Sequence, residues 1–343
     1  MNDTLQTTNN LKQNIQTYPL SVAPMMDWTD RHYRYFMRQI TKSTFLYTEM
    51  VTTGAILYGD KNRLLDFSET EKPISLQLGG DNPQQLAECA KIAEDWGYSE
   101  VNLNVGCPSD RVQQGNFGAC LMAKPELVAL CVEKMIDKVN IPITVKHRIG
   151  IDDRHSYEEL AHFVQTVADA GCKRFIVHAR IALLKGLSPR DNRTVPPLRY
   201  NDVYQLKKDF PKLIIEINGG IKTLSEVEEH LKYTDGVMLG RVAYENPYIF
   251  AGVDNLFFNT NTSKPSRRDI IELMIPHIEK CLKNDIYINK IIIHMLGLFN
   301  HQEGSKIWKR HLSENMHKKN AGIEILTDVI AKIPAYILDD NIN

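Results

Sequence analysis

Short apolar segments alternate with amphipathic ones along residues 18 to 250, and this alternation constrains the fold more than any other feature. The apolar segments have the length and the residue alternation of β-strands. We predict strands at 20–24, 45–50, 74–78, 100–105, 143–147, 174–178, 214–218 and 236–239. The intervening segments predict helices at 30–40, 83–96, 125–139, 156–170, 202–208 and 224–231.

Eight strands with helices between them indicate a parallel sheet with crossover helices, and eight is the number that closes an α/β barrel. We therefore predict the α/β fold class, with an eightfold parallel (β/α) TIM-type barrel. The alternative is an open doubly wound sheet. It is disfavoured because the first strand is followed by APMMD (23–27), and not by the G-x-G-x-x-G motif of dinucleotide-binding sheets.

The periodicity of the apolar residues changes after residue 258. Residues 259–268 contain NTNTSKPSR and predict a linker, whereas residues 269–343 show helical periodicity without strand alternation. We predict a barrel domain at 18–258 and a smaller, all-helical domain at 269–343. The polar residues 1–17, rich in Asn, Gln and Thr, predict a flexible N-terminal arm.

Composition narrows the class of protein. The net charge is −1, from 41 Lys and Arg against 42 Asp and Glu, so nucleic-acid binding would need a local basic patch. The six cysteines lack the spacing of a metal site, and no signal peptide or membrane-length apolar run is present. We expect a cytoplasmic monomer with reduced cysteines, no metal and no membrane contact.

The glycines after the last two predicted strands point to a phosphate site. In TIM-type barrels the active site lies at the C-terminal ends of the strands, and the loops after strands seven and eight often bind phosphate. Here these loops begin with Gly219-Gly220 and Gly240-Arg241. Glycine lets backbone N–H groups approach an anion, and arginine adds positive charge. A tight turn would explain either glycine segment alone, but the two together favour phosphate.

Three further side chains at the same strand ends suit a flat, anionic ring. Lys146 interrupts the apolar strand IPITVKHRI, where a buried lysine is costly unless it meets an anion. Gln77 and His178 can hydrogen-bond a planar heterocycle, and Arg180 follows His178 on the same face. A phosphate together with such a ring describes FMN. FAD fits less well, because no adenosine-binding unit is evident.

Cys107 follows the fourth predicted strand in the sequence EVNLNVGCPSD (100–110). Its position between glycine and proline suits contact with a ligand better than core packing. A nucleophilic role would require a thiolate, whereas a general acid requires the neutral thiol that an ordinary pKa of about 8.5 provides at pH 7. The acid role fits a flavin enzyme better. Cys120 lies in the same loop, but no base is nearby in sequence to activate it. We interpret the remaining cysteines as small core residues.

These motifs resemble the tRNA-dihydrouridine synthase family, and within it the A subfamily. The matching segments are APMMDWTD (23–30), SLQLGG (75–80), NLNVGCPSDRVQQGNFGACLM (102–122), VKHRIGID (145–152), FIVHAR (175–180), INGGI (217–221), LGRVAYENP (239–247) and WKRHLSE (308–314). They cover nearly the whole chain. The resemblance implies a flavin barrel with a helical tRNA-binding domain, and NADPH-dependent reduction of uridines 20 and 20a in the tRNA D-loop to dihydrouridine.

The resemblance also implies roles for individual residues. The implied FMN contacts are Pro24, Met25, Met26, Gln77, Lys146, His178, Asn218, Gly219, Gly220, Gly240 and Arg241. The implied proton donor is Cys107, with the hydride coming from FMN. The implied tRNA contacts are Asn104, Arg190, Arg193, Lys306 and Lys309, to which we add Arg180 and Arg310. Arginine is usual in the family at positions 306 and 309, and lysine keeps the charge but loses the bidentate geometry.

Two basic segments independently suggest a groove that follows a nucleic-acid backbone. One is the loop 181–199, which has four cationic residues and one acid. The other is 306–319, which has five cationic residues and one acid. A uridine would have to leave its stack to reach a flavin in the barrel. The alternatives are a flavin barrel acting on a small molecule, such as a free pyrimidine or an enone, and a tRNA-binding folding factor with a vestigial flavin site.

Overall fold

The computed structural model describes residues 15–340. Contacts divide them into two compact units. The first unit holds the described residues up to Met25, with Phe45–Phe67 and Lys72–Gly240; the second holds Met26–Thr44, Ser68–Glu71 and the described residues from Arg241 onward. This division differs from the predicted boundary at 258. Residues 1–14 of the predicted arm and 341–343 of the predicted helical domain lie outside the described range.

The first unit contains an eight-stranded parallel sheet. The strands are β1 (Leu20–Val22), β2 (Leu46–Thr52), β3 (Ile74–Gly79), β4 (Glu100–Val105), β5 (Ile143–Arg148), β6 (Arg174–His178), β7 (Ile214–Asn218) and β8 (Gly236–Leu239). Each strand pairs in parallel with its neighbour in sequence from β2 to β8, and β1 pairs with β8. A bridge between Ser21 and Phe45 brings β1 to the entry of β2. The predicted TIM-type barrel is confirmed.

The helices lie between the strands and after the last of them. They are α1 (Arg31–Ile40), α2 (Thr53–Tyr58), α3 (Lys61–Leu65), α4 (Pro83–Trp96), α5 (Asp110–Gln114), α6 (Pro125–Lys138), α7 (Tyr157–Asp169), α8 (Tyr200–Asp209), α9 (Leu224–Leu231), α10 (Arg241–Glu245), α11 (Val253–Phe258), α12 (Arg267–Leu282), α13 (Asn289–Ile292), α14 (Ser305–Asn315), α15 (Glu324–Ile330) and α16 (Ala335–Leu338). Their starts follow from local chemistry: Ser156, for example, forms a capping box with Glu159 at the start of α7.

Strand alternation sorts the barrel residues into two faces. One face of β4 and β5 carries Val101, Leu103 and Val145, all fully buried, as expected where crossover helices cover a parallel sheet. The other face carries polar residues, and the register aligns them: Gln77 pairs with Asn102, Asn104 with Lys146, and His178 with Asn218. The barrel interior is therefore unusually polar at the strands that precede the predicted site.

The second unit is helical in its described residues, with one departure from the sequence pattern. The segment 290–301 has helical periodicity, but it forms only the short α13 and a 3₁₀ turn, Ile293–Met295. Gly297 lies so close to Tyr244 and Glu245 that an added Cβ would come within 2.8 Å of the carbonyl oxygen of each. Tertiary packing therefore overrides the local pattern here.

Candidate active site

Cys107 lies two residues beyond the end of β4 and is held by Asn104. The side-chain oxygen of Asn104 accepts hydrogen bonds from the backbone N–H groups of Gly106 (3.1 Å) and Cys107 (2.9 Å). The thiol is half-buried, with Sγ 3.6 Å from the hydroxyl oxygen of Ser109. Asn104 therefore fixes the turn that presents the thiol.

The loop after Cys107 folds back onto it. The N–H of Ala119 donates to the carbonyl oxygen of Cys107 at 2.9 Å. Gly118 has a φ of +74°, and an added Cβ would lie 2.6 Å from that same carbonyl oxygen. Only glycine fits both the backbone angle and the close approach. In this structure Gly118 serves the packing of the loop against the Cys107 turn.

A chain of side-chain amides leads from Asn104 into the barrel. Asn104 donates to the side-chain oxygen of Gln77 at 2.8 Å, and Gln77 donates to that of Asn102, also at 2.8 Å. Asn102 in turn donates to the hydroxyl of Thr144 at 2.9 Å. Each amide nitrogen has a second hydrogen available. Asn104 and Gln77 therefore retain a donor for a ligand while they hold each other in place.

Lys146 lies beside Asn218, at the same end of the barrel interior. Its Nζ is 3.2 Å from the side-chain oxygen of Asn218. Within residues 15–340 no carboxylate forms an ion pair with Lys146. Burial lowers the pKa of the ammonium group to about 7, and the positive charge of Arg148 acts in the same direction. A lysine in this state gains from an anionic ligand.

Burial also lowers the pKa of His178, but the result here is a neutral side chain. Burial, followed by the positive charges of Arg148 and Lys146, lowers its pKa well below the usual value. The imidazole is therefore neutral at physiological pH, with one nitrogen able to donate and the other to accept a hydrogen bond. The backbone approaches the ring closely, because a Cβ on Gly219 would lie 2.6 Å from its Cδ2.

The predicted phosphate loops differ from each other in the space around their glycines. Gly219 and Gly220 have φ values of +121° and +75°, and added Cβ atoms would meet His178 and Leu198. Turn geometry and packing therefore already require glycine there. An added Cβ on Gly240, by contrast, would meet nothing within 4 Å. Arg241 is the first residue of α10 and belongs to the second unit.

The donor set of the first unit fits an anionic, planar cofactor such as FMN. Lys146 supplies a buried cation, Gln77 and His178 supply hydrogen-bonding groups, and Gly240 leaves open space. Among the remaining predicted contacts, Pro24 is half-buried, and Met25 packs against the buried cluster that includes Ala23. Met26 belongs to the second unit and is 56% exposed.

Arg148 is a functional candidate to which the sequence analysis assigned no role. Its buried guanidinium donates to the carbonyl oxygens of Gly106 (3.0 Å), Ile181 (2.9 Å) and Asn192 (2.9 Å). It thus ties the Cys107 turn to the long loop after β6. The signal in the sequence was a second cation two residues after Lys146, on the same face of the strand.

The long loop 181–199 is organised around Asn192, which is fully buried. The side chain of Asn192 accepts from the N–H of Leu183 (2.8 Å) and donates to the carbonyl of the same residue (2.9 Å). Arg190 and Arg193 are exposed on this loop. Arg180 is half-buried and donates to the carbonyl oxygen of Pro196. The loop therefore presents two of the predicted tRNA contacts to solvent and uses the third for support.

In the second unit, the predicted contacts Lys306, Lys309 and Arg310 share helix α14. The opposite side of the helix buries Trp308 and Leu312. Lys306 is exposed, and Lys309 donates to the side-chain oxygen of Asn300 at 2.6 Å. Arg310 forms an exposed ion pair with Glu314 at 2.8 Å. Such an exposed pair is screened by solvent and contributes little to stability, so Arg310 can exchange it for another anion.

A protein-family model described as "Dihydrouridine synthase (Dus)" matches residues 21–333. The chain belongs to the dihydrouridine synthase family. A protein of Synechocystis sp. named "tRNA-dihydrouridine(20/20a) synthase" is 63% identical over 90% of this chain and 92% of its own length. A protein of the same name from Vibrio vulnificus is 58% identical over 92% of this chain and 97% of its own.

A solved structure shares the fold of this dihydrouridine synthase. A complex of 2-naphthoyl-CoA reductase with 2-naphthoyl-CoA superposes with a TM-score of 0.53 at 10% identity, over 68% of this chain. The chain spans about half of that protein, 49% of its length. The likeness shows the barrel architecture alone.

Membership of the family fixes the class of chemistry. Dihydrouridine synthases are flavin-dependent oxidoreductases that act on CH–CH bonds, so this chain is an enzyme of that class. In the described part of the chain, no helix has the length and apolarity needed to cross a membrane.

Proposed function

We propose that this dihydrouridine synthase reduces the uracil C5–C6 double bond of uridines 20 and 20a in the tRNA D-loop, with FMN as cofactor and NADPH as reductant. The observation that supports this most is the 63% identity to a tRNA-dihydrouridine(20/20a) synthase over 90% of this chain. The barrel-end donor set described above supports the cofactor.

FMN would be held by Gln77, Lys146, His178 and Asn218, together with the glycine loops after β7 and β8. When bound, FMN accepts electrons from NADPH and supplies a hydride to the substrate. Lys146 provides the positive charge, and Asn218 holds its ammonium group in position. Asn218 is itself fixed, because its amide nitrogen donates to the carbonyl oxygen of Met238 at 2.8 Å.

Cys107 donates a proton to the uracil carbon that does not receive the hydride. One hydride and one proton together saturate the double bond. Asn104 positions the thiol through the two backbone N–H groups it binds, and its second amide hydrogen is available to a uracil carbonyl. Arg148 also holds the Cys107 turn, because it donates to the carbonyl oxygen of Gly106.

The tRNA contacts would come from local basic surfaces, since the net charge of −1 gives no overall attraction. Arg190 and Arg193 on the loop 181–199 and Lys306, Lys309 and Arg310 on α14 are the candidates. The helical residues 269–340 would act as the tRNA-binding domain. Neutralising phosphates in this way makes binding strongly salt-dependent.

The proposal is tested by incubating the purified protein with unmodified tRNA and NADPH and mapping dihydrouridine by nucleotide. We expect dihydrouridine at positions 20 and 20a, dependent on NADPH and on bound FMN. Dihydrouridine at other positions only would overturn the site assignment, and reduction of free uridine with no product in tRNA would overturn the substrate.

A further inference from the structure

Two histidines and a cysteine meet in the second unit, outside the site described above. His32 lies in the first turn of α1, and His277 and Cys281 lie one turn apart on α12. One nitrogen of each imidazole and the sulfur all lie within 4.8 Å of one another. Positions i and i+4 of a helix face the same way, so α12 offers its two donor atoms to one point in front of α1.

We propose that His32, His277 and Cys281 form a binding site for a zinc-class divalent cation, with the fourth position taken by water. This departs from the sequence-based expectation that Cys281 is a core residue and that the protein binds no metal. A nitrogen, nitrogen, sulfur donor set selects zinc and similar borderline-soft ions over magnesium or calcium, which prefer oxygen.

The interatomic distances agree with tetrahedral coordination. Zinc lies about 2.0–2.1 Å from nitrogen and about 2.3 Å from sulfur, so a tetrahedral site separates two nitrogens by about 3.4 Å and a nitrogen and sulfur by about 3.6 Å. Here Nδ1 of His32 is 3.1 Å from Nε2 of His277, and that Nε2 is 3.7 Å from Sγ of Cys281. The third pair, the His32 nitrogen and Sγ of Cys281, lies within 4.8 Å, so a bound ion would draw these two atoms together by up to about 1.2 Å.

Hydrogen bonds alone satisfy this cluster incompletely. Nε2 of His277 faces both the ring nitrogen of His32 and the sulfur of Cys281, yet it carries either one hydrogen or one lone pair. If it donates to His32, it has no lone pair left for the thiol hydrogen of Cys281. A cation placed between the three atoms accepts all three lone pairs at once.

The surroundings favour ligand geometry and balance the charge. The ring of Tyr35 stacks on His277 at a centroid distance of 3.9 Å and fixes its orientation. A divalent cation binds the neutral form of an imidazole through its lone pair. Asp30 favours added positive charge at these rings, whereas Arg31 and Lys280 oppose it.

Cobalt(II) provides a spectroscopic probe of the site in the full-length protein. Cobalt bound by thiolate has d–d bands at longer wavelength than flavin absorption and a sulfur-to-metal charge-transfer band in the near ultraviolet. We expect one equivalent of cobalt per chain to produce both bands in a difference spectrum against chelator-treated protein. Zinc should then displace the cobalt and raise the melting temperature, because the ion joins α1 to α12.

Matched variants locate the signal. Cys281→Ala should lose the charge-transfer band, and His277→Gln, which keeps hydrogen-bonding capacity, should lower cobalt affinity at least about tenfold. Cys89→Ala removes another buried cysteine, on α4, and Cys107→Ala removes a half-buried one; both should keep the bands. Circular dichroism checks that each variant is folded.

Three outcomes would overturn the proposal. The first is the absence of cobalt bands in the folded wild-type protein at one equivalent. The second is retention of the charge-transfer band in Cys281→Ala or its loss in Cys107→Ala. The third is unchanged cobalt affinity in both His277→Gln and His32→Ala, which would mean that the three side chains form a hydrogen-bonded cluster only. None of these outcomes depends on the proposed reaction, so the two proposals can fail separately.

Discussion

Two layers of the barrel interior contain buried charged side chains. They differ in whether carboxylates of the protein pair with the buried cation. The lower layer is Glu100, Arg174 and Glu216; the upper layer is Lys146, His178 and Asn218. In the lower layer, Arg174 donates to Glu100 at 2.8 Å and to Glu216 at 2.6 Å, and these carboxylates raise its pKa. The charge is satisfied within the protein, so this layer is structural.

In the upper layer, no carboxylate among the described residues pairs with the buried lysine. Burial, followed by the positive charge of Arg148, lowers the pKa of Lys146 to about 7. Its neighbour Asn218 is an amide, and within residues 15–340 no carboxylate forms an ion pair with Lys146 to oppose this shift. Strands β6 and β7 contribute to both layers, through residues four and two positions apart, so burial itself does not explain the difference. We infer that the upper layer is arranged for a ligand that brings negative charge.

The largest expected effect comes from breaking the lower layer. Arg174→Met leaves Glu100 and Glu216 buried without a cation, which should lower the free energy of unfolding by about 3–5 kcal/mol in urea denaturation. The control is Lys91→Met, which removes solvent-exposed pairs with Glu94 and Asp95 and should leave the free energy of unfolding nearly unchanged. An equal, small effect of both variants would show that the lower layer is not structural.

A change at the upper end of the barrel should affect turnover and leave stability intact. Cys107→Ala removes the proposed proton donor, so dihydrouridine formation should fall about 100- to 1,000-fold, while FMN content and melting temperature stay unchanged. Cys120→Ala, in the same loop, should retain activity within a few-fold. Normal activity of Cys107→Ala would end its assignment as general acid.

Asn102 connects the two layers, so its loss should have an intermediate effect. Its side chain binds Gln77, which is held by Asn104, and Thr144, whose hydroxyl donates to Glu100 at 2.8 Å. Asn102→Leu should cost about 1–3 kcal/mol of stability and also lower turnover, because Asn104 loses its support through Gln77. Asn62→Leu, at an exposed position, should stay within about 0.5 kcal/mol.

The smallest expected effect is a pH dependence of FMN binding. Above its pKa of about 7, free Lys146 is neutral and must take up a proton to pair with an anion. FMN affinity should therefore be level below this pH and fall by up to about tenfold per pH unit between about pH 7.5 and 9.5. Flavin fluorescence quenching measures this. Lys146→Met should bind more weakly with no slope in this range, and a rising affinity in the wild type would contradict the account.

The sequence predicted the barrel because strand and helix periodicities are local signals. Strands β4, β6, β7 and β8 begin and end where they were predicted, and the strand ends predicted which residues would share one end of the barrel. The close approach of Gly219 to His178 was not visible, because it depends on how two loops pack.

Contacts between distant residues were also beyond the sequence pattern. Arg174 meets Glu100 across 74 residues, and His32 meets His277 across 245. Neither pairing leaves a periodic signal in the chain. The grouping of α1 with the second unit likewise leaves no local signal, since its place between β1 and β2 favours the barrel domain in the sequence.

The most direct test of the upper layer compares the melting temperatures of the wild type and Lys146→Met, each with and without FMN. Without FMN, the folded-state pKa of Lys146 lies below its unfolded value, so burial of this group costs stability at pH 7. We predict that Lys146→Met melts higher than the wild type without FMN and lower than the wild type at saturating FMN. A variant that melts lower without FMN, or that gains as much from FMN as the wild type, would contradict the account.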